Sequence, residues 1–210
     1  MILAIHLNPA IDRVYAVEKI NIGSVARPLE MTANAGGKAS NVCRVARLLD
    51  AAVMVCGFIG GFSGNFIEND LKKLGIQTAF TKIKGESRSC INIFDQSSGL
   101  STEILEKGPE ISLEEQQLFL KQYDSLLNQS NIVTASGSLA IGLKTDFYNT
   151  LIEKAKRKNK PFLLDTSGNT FKKALKAVPY LIKPNKDEIS DFVDDLLINE
   201  ELLKKSLKAF

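Results

Sequence analysis

The chain has 210 residues, 44% hydrophobic and 24% charged, with a formal net charge of +3, which is the profile of an ordinary soluble globular protein with material for one sizeable core. The weak net charge, the absence of tryptophan and the scarcity of aromatics among basic residues argue against a nucleic-acid partner, whereas small anionic substrates fit well. Cys43, Cys56 and Cys90 lack C-x-x-C spacing and His6 is the single histidine. Neither a disulfide framework nor a zinc site is supported, and a reducing cytoplasm is the expected setting.

In chain order, Met1-Ile2-Leu3-Ala4-Ile5-His6-Leu7 is a short apolar run without a basic flank. It reads as a first core strand, with His6 a packed strand residue, and no stretch reaches the length of a membrane span, so no membrane partner is expected. A helix over 38–50 places Val42, Ala46 and Leu49 on one face, and 52–59 is a continuous apolar strand. The alternation continues with a helix near 65–74, a helix over 113–128 feeding a strand at 131–135, and a helix over 146–158 feeding a strand at 161–164. Short apolar runs of this kind are strands buried on both faces, so the expected fold is α/β with a mostly parallel central sheet.

Two regions depart from that rhythm. Residues 13–33 and 76–106 are rich in β-branched residues and partly alternating, as in Thr78-Ala79-Phe80-Thr81-Lys82-Ile83 and Cys90-Ile91-Asn92-Ile93-Phe94, with a turn at Gln96-Ser97-Ser98-Gly99. They predict a small second sheet, placed as a lid over the carboxyl ends of the main strands. The basic run from Lys154 to Lys160 closes a helix, where cations suit the dipole, and reads as a solvated end.

Gly36-Gly37-Lys38-Ala39-Ser40-Asn41 stands where an extended segment becomes a helix. Glycine permits positive φ and close approach of a ligand to the backbone. The amides that open a helix are unpaired donors at the positive end of its dipole, and Lys38 adds a mobile charge. The turn therefore predicts an anion site. It is not a Walker A loop, which needs glycine where Thr32 stands and Ser or Thr where Ala39 stands, and no G-x-G-x-x-G surrounds Gly36 or Gly57.

Ligands of a doubly wound sheet bind beyond the carboxyl ends of its strands. The segments that follow the predicted strands are polar: Asn8-Pro9-Ala10-Ile11-Asp12, Ser136-Gly137-Ser138, Asp165-Thr166-Ser167-Gly168 and Lys183-Pro184-Asn185-Lys186-Asp187-Glu188. By itself Asp12 suits either polyol binding or the capping of a local turn. Asn185-x-x-Glu188 likewise has capping-box spacing, a purely structural explanation of the same letters.

Taken together these segments resemble the ribokinase-like, phosphofructokinase B superfamily along almost the whole chain. Gly57-Phe58-Ile59-Gly60-Gly61, Gly85-Glu86-Ser87-Arg88, Thr102 to Glu110 and Ser136-Gly137-Ser138-Leu139 stand in family order with the glycine-lysine turn. The resemblance implies a three-layer ribokinase-like fold with a small β lid that often also mediates dimers, and residues 1–210 as the N-terminal portion of one kinase domain. It implies an ATP- and Mg2+-dependent kinase of a ketohexose phosphate, tagatose 6-phosphate before fructose 1-phosphate. In that reading Asp12, Gly37 and Asn41 grip sugar hydroxyls, with Ser136 beside them. Lys38 and Arg88 hold the phosphate the substrate already carries, with Arg27 a weaker candidate. Lys183, Asn185 and Glu188 serve the nucleotide, Glu188 through magnesium-bound water.

Family members usually carry glycine where Ala39 stands and proline where Ala140 stands. Alanine strains the turn at 39 if positive φ is needed there, and is tolerated if the helix has already begun. No Thr-Gly-Ala-Gly-Asp-like run occurs in the 210 residues. The resemblance implies that about the last third of the family's length is missing, so no general base is assigned and the 210-residue chain is expected not to turn over substrate. A non-catalytic sugar-phosphate-binding module is the competing reading; a nucleoside kinase is disfavoured by Lys38 and Arg88.

Overall fold

The computed structural model describes residues 1–185. In chain order the elements are β1 (Ile2–His6), β2 (Ala10–Val17), β3 (Glu30–Gly36), α1 (Lys38–Leu48), β4 (Val53–Ile59), α2 (Gly61–Lys73), β5 (Gln77–Lys82), β6 (Arg88–Asp95), β7 (Leu100–Leu105), α3 (Leu113–Leu127), β8 (Ile132–Ser136), α4 (Phe147–Arg157), β9 (Phe162–Asp165), α5 (Gly168–Leu175) and β10 (Leu181–Ile182). Two sheets result. Six strands in the order β10-β9-β8-β1-β4-β5 run parallel. A second sheet, β3-β2-β6-β7, mixes one parallel pair with two antiparallel ones.

Alternate residues of the central strands face opposite layers. Leu3, Ile5, Val133, Ala135, Phe162 and Leu164 pack with Phe119 and Tyr123 of α3, Phe147, Tyr148 and Leu151 of α4 and Phe171 of α5. Ala4, Val53, Val55 and Ile59 pack instead with Cys43 and Ala46 of α1 and Ile67 and Leu71 of α2. Helices thus cover both faces of a parallel sheet, the three-layer α/β arrangement expected from its apolar strands. The basic run at the end of α4 anchors that helix to α3: Lys158 Nζ donates to the Asp124 carboxylate at 3.0 Å and to Asn128 Oδ1 at 2.9 Å.

Three expectations need correction. Residues 78–83, assigned above to the small sheet, belong mostly to β5, which pairs parallel with β4 from Met54↔Gln77 to Ile59↔Lys82. The α2 crossover returns the chain to the neighbouring position of the same sheet, and Phe80 is buried in the α1/α2 layer. The lid therefore starts earlier than 13, at Ala10, and takes only β6 and β7 from the second region. The second correction concerns α1, whose buried stripe is Ala39, Cys43 and Ala46. Leu49 is 75% exposed, because small side chains at the contact let the helix lie close to the sheet and leave the larger ones outside. Third, α2 begins at Gly61 rather than 65. The Glu86 carboxylate accepts from the amides of Phe62 and Ser63, a cap supplied from 23 and 24 residues away that local sequence does not reveal.

The question posed by Ala39 is answered by the backbone. Positive φ falls on Gly37, at 94°, whereas Ala39 is already helical and buried. Replacing Ala39→Gly is expected to lower stability by about 1 kcal/mol, the helix-interior cost of glycine, read as the shift of a urea unfolding midpoint. A more stable variant would place the strain at residue 39 instead.

Candidate active site

The chain leaves β1 through Leu7-Asn8-Pro9 and enters the lid directly as β2, so Asp12 stands above the carboxyl end of the central strand. In the lid, Ala10 pairs with both Gly36 and Arg88, and Asp12 with Asn34 and Cys90. Registered partners share a face and residues two apart return to it. Asp12 and Arg88 therefore lie on one face of the lid, beside the head of α1.

That head is shaped by crowding from two directions. A Cβ at Gly36 would overlap the Asp12 carboxylate, and one at Gly37 would overlap the His6 ring. The Gly37 amide points at Asp12 Oδ2, 3.4 Å away. Gly37 is also the N-cap of α1 and offers no side-chain cap, which leaves first-turn amides of the helix for an incoming acceptor. Beneath the turn His6 is buried, with Nδ1 3.2 Å from Ser40 Oγ. Burial, and secondarily the charge of Arg88, hold its pKa down at about 3. The imidazole is therefore a neutral prop. Burial raises the pKa of Asp12, against the opposing pull of the Gly37 amide, Arg88 and Arg44.

Each cation is oriented differently. Arg88 donates from Nε to Asn8 O at 3.2 Å and from Nη1 to Glu106 O at 3.0 Å; both partners are neutral, so its charge remains available to an anion. Lys38 Nζ contacts Asp165 Oδ1 at 3.1 Å. Asn41 accepts through Oδ1 from Arg44 Nη1 at 3.1 Å, which directs its amide nitrogen, a donor, away from that arginine. Arg44 is itself fixed by Asp70 at 3.2 Å, and the same carboxylate oxygen accepts the Ala35 amide at 2.8 Å.

Ser136 closes β8 and is buried. Gly137 follows with φ of 106°, and a Cβ there would meet nothing within 4 Å. Its carbonyl accepts from Tyr148 Oη at 3.1 Å and Thr166 Oγ1 at 3.0 Å, so the loop is held from behind and open in front. On the other side of β9, the amide of Lys183 bonds to Leu164 O at 3.1 Å, and its Nζ lies 3.9 Å from Asp165 Oδ1. Asn185 is the last described residue, Glu188 lies outside the described residues, and Arg27 is exposed in the connection between β2 and β3.

Asp12, Gly37, Lys38, Asn41 and Arg88 thus surround one turn, Ser136 ends the strand next to β1, and Lys183 stands farther along the same sheet edge. Sequence reasoning assigned no role to Asp165, which faces Lys38 from 127 residues away, nor to Asn8, whose Nδ2 donates to Lys107 O at 3.1 Å while its buried Oδ1 is unpartnered. Their position after strands was the only local signal.

A profile described as pfkB family carbohydrate kinase matches residues 5–210. The chain belongs to the pfkB family. The tagatose-6-phosphate kinase of Staphylococcus epidermidis is 39% identical over 211 aligned positions, which cover 100% of this chain and 66% of that protein; the chain therefore spans about two thirds of its relative's length. Among solved structures, the tetrameric inhibited form of phosphofructokinase-2 from Escherichia coli matches with a TM-score of 0.90 at 23% identity, over 99% of this chain and 68% of that one. A Thermotoga maritima protein described as a possible 1-phosphofructokinase matches with a TM-score of 0.84 at 24% identity, over 99% and 67%. At those identities the structural matches establish the ribokinase-like fold of this pfkB member and no more.

The neutral burial of His6 has a measurable consequence. The unfolded imidazole takes up its proton below 6.5 and the folded one only near 3, so the unfolded state binds more protons in between and stability falls as the pH drops through that window. The slope is ~1.4 kcal/mol per pH unit where the unfolded imidazole is fully protonated. His6→Gln is expected to remove one proton from the uptake on unfolding between about pH 6 and 4, seen as a shallower pH dependence of the urea midpoint. An unchanged slope would mean that the ring is not held neutral.

Proposed function

We propose that residues 1–210 form the N-terminal portion of one kinase domain and carry the sugar-phosphate side of an ATP- and Mg2+-dependent ketohexose-phosphate kinase. Tagatose 6-phosphate, converted to tagatose 1,6-bisphosphate, is the preferred substrate in this reading. The observation that carries it is the convergence of Asp12, the Gly37 amide, Lys38 and Arg88 on one turn. These groups come from the lid strands β2 and β6 and from the head of α1. A kinase acting on an already phosphorylated ketose must separate it from neutral sugars, and two cations supply that discrimination. Arg88 presents a planar fork suited to phosphate and Lys38 a movable point charge. Asp12 accepts from sugar hydroxyls, the Asn41 amide donates to them, and Ser136 borders them where Gly137 leaves the backbone open.

In the same proposal Lys183, Asn185 and Glu188 serve the nucleotide, Glu188 through water on magnesium. The proposed ion is held by few carboxylates together with nucleotide phosphates, the usual manner of magnesium. A bound magnesium nucleotide supplies the phosphoryl group and neutralises its charge; the residues of this chain bind and orient the acceptor. No general base is assigned within the 210 residues, and the chain alone is proposed to hold substrate without turning it over.

The lid strands expose Met31, Leu100 and Ile104 on the face opposite Asp12, apolar surface suited to a second copy of the chain. We assign the lid as a homodimer contact, against which a monomer at micromolar concentration in sedimentation velocity would count. No helix among the described residues is long and apolar enough to cross a membrane, and the cytoplasm, where ATP and sugar phosphates meet, is the proposed location.

Isothermal titration of the 210-residue chain with tagatose 6-phosphate, fructose 1-phosphate and unphosphorylated tagatose tests the central reading. Preference for tagatose 6-phosphate is expected, with Lys38→Met and Arg88→Gln each weakening it by roughly 10- to 100-fold, the span of one charged hydrogen bond. Indifference to the phosphate would refute the site, and stronger binding of fructose 1-phosphate would reassign the substrate. ADP release with Mg2+ and ATP is expected at background; robust turnover would show that the chain is catalytically sufficient.

A further inference from the structure

Lys38, the movable cation of the proposed phosphate site, is paired with a fixed carboxylate. Asp165 is the last residue of β9, registered against Ser136 of β8, and its carbonyl accepts the Gly137 amide at 2.9 Å. Its side chain is only 16% exposed, against 53% for Lys38. The carboxylate is therefore held by the sheet, while the lysine reaches it across solvent on a flexible stem. Asp165 also has a second cation, since Lys183 Nζ lies 3.9 Å from the same oxygen.

From this arrangement we propose that Asp165 is the counter-ion Lys38 exchanges for the phosphate of the incoming sugar, which makes Asp165 a residue that tunes the affinity of the sugar-phosphate site. The inference rests on the functional reading above. An exchange of partners needs an arriving group that can replace a full negative charge. A phosphate dianion does so and offers three acceptor oxygens, whereas a hydroxyl group does not, so an unphosphorylated sugar leaves the Lys38–Asp165 pair closed. Lys183 keeps the carboxylate from being left without a cation when Lys38 departs, and so lowers the cost of the exchange. Asp165 acts through Lys38 and is a positioning residue, not a catalytic one. Its presence weakens binding of the phosphorylated ligand and leaves neutral ligands unaffected, so it lowers the affinity for the sugar phosphate and narrows its margin over the unphosphorylated sugar.

The test is a double-mutant cycle on the full 210-residue chain, using Asp165→Asn, Lys38→Met and the two combined, with tagatose 6-phosphate binding measured by calorimetry. Asp165→Asn is expected to tighten binding about two- to fivefold, the range set by an exposed ion pair, and to have no effect in the Lys38→Met background. Weaker or unchanged binding would overturn the proposal. An equal gain in both backgrounds would overturn it as well, since that outcome marks general repulsion between Asp165 and the ligand. A second readout needs no sugar: acetylation of Lys38 in the ligand-free chain, followed by mass spectrometry, is expected to quicken in Asp165→Asn, and an unchanged rate would refute the pairing. Failure of the parent chain to bind tagatose 6-phosphate, with quickened acetylation intact, would sink the functional reading and not the counter-ion.

Discussion

The carboxylate of Asp12 and the imidazole of His6 press on Gly36 and Gly37 from two sides, and the rest of the candidate site is arranged around that contact. Only residues without a Cβ fit there. The close approach brings three parts of the fold to one point: the end of β1 through His6, the lid through Asp12, and the first turn of α1 through Gly37. Once they meet, Lys38 and Asn41 are directed by helix geometry, and Arg88 by its register opposite Ala10. A larger side chain at either glycine would separate the lid from the helix and disperse the groups of the candidate site.

Electrostatics follow from the same packing. His6 lies beneath a site that gathers positive charge from Lys38, Arg88 and Arg44, and it is buried with its proton affinity depressed. A charged imidazole at that place would be desolvated and would be repelled by Arg88. Asp12 shows the opposite shift. It is half-buried, and its ionised folded form therefore costs stability above its ordinary titration range.

Much of this was legible in the sequence because it depends on short-range rules. Helix and strand alternation follows from hydrophobic period, and most observed elements lie within a few residues of the expected spans. The glycine-lysine turn, with positive φ at Gly37, needs only the letters Gly36-Gly37-Lys38 and the helical pattern behind them. What escaped was long-range. β5 has the composition of a lid strand, and only its crossover after α2 places it in the main sheet. The start of α2 depends on Glu86, and the exposure of Leu49 on how closely α1 approaches its neighbours.

By itself the sequence determined the α/β class, the glycine turn that opens α1 and, through its ordered motifs, the pfkB family, since each is carried by residue type at fixed spacing. The tertiary structure alone decided which groups face one another. Lys38 meets Asp165, 127 residues away, because the fold brings the carboxyl end of β9 to the head of α1, and Arg88 meets the carbonyls of Asn8 and Glu106 through the pairing of β6 with β2 and β7 in the lid. Spacing along a chain encodes local geometry, while pairing across a sheet depends on strand order, which no single segment specifies.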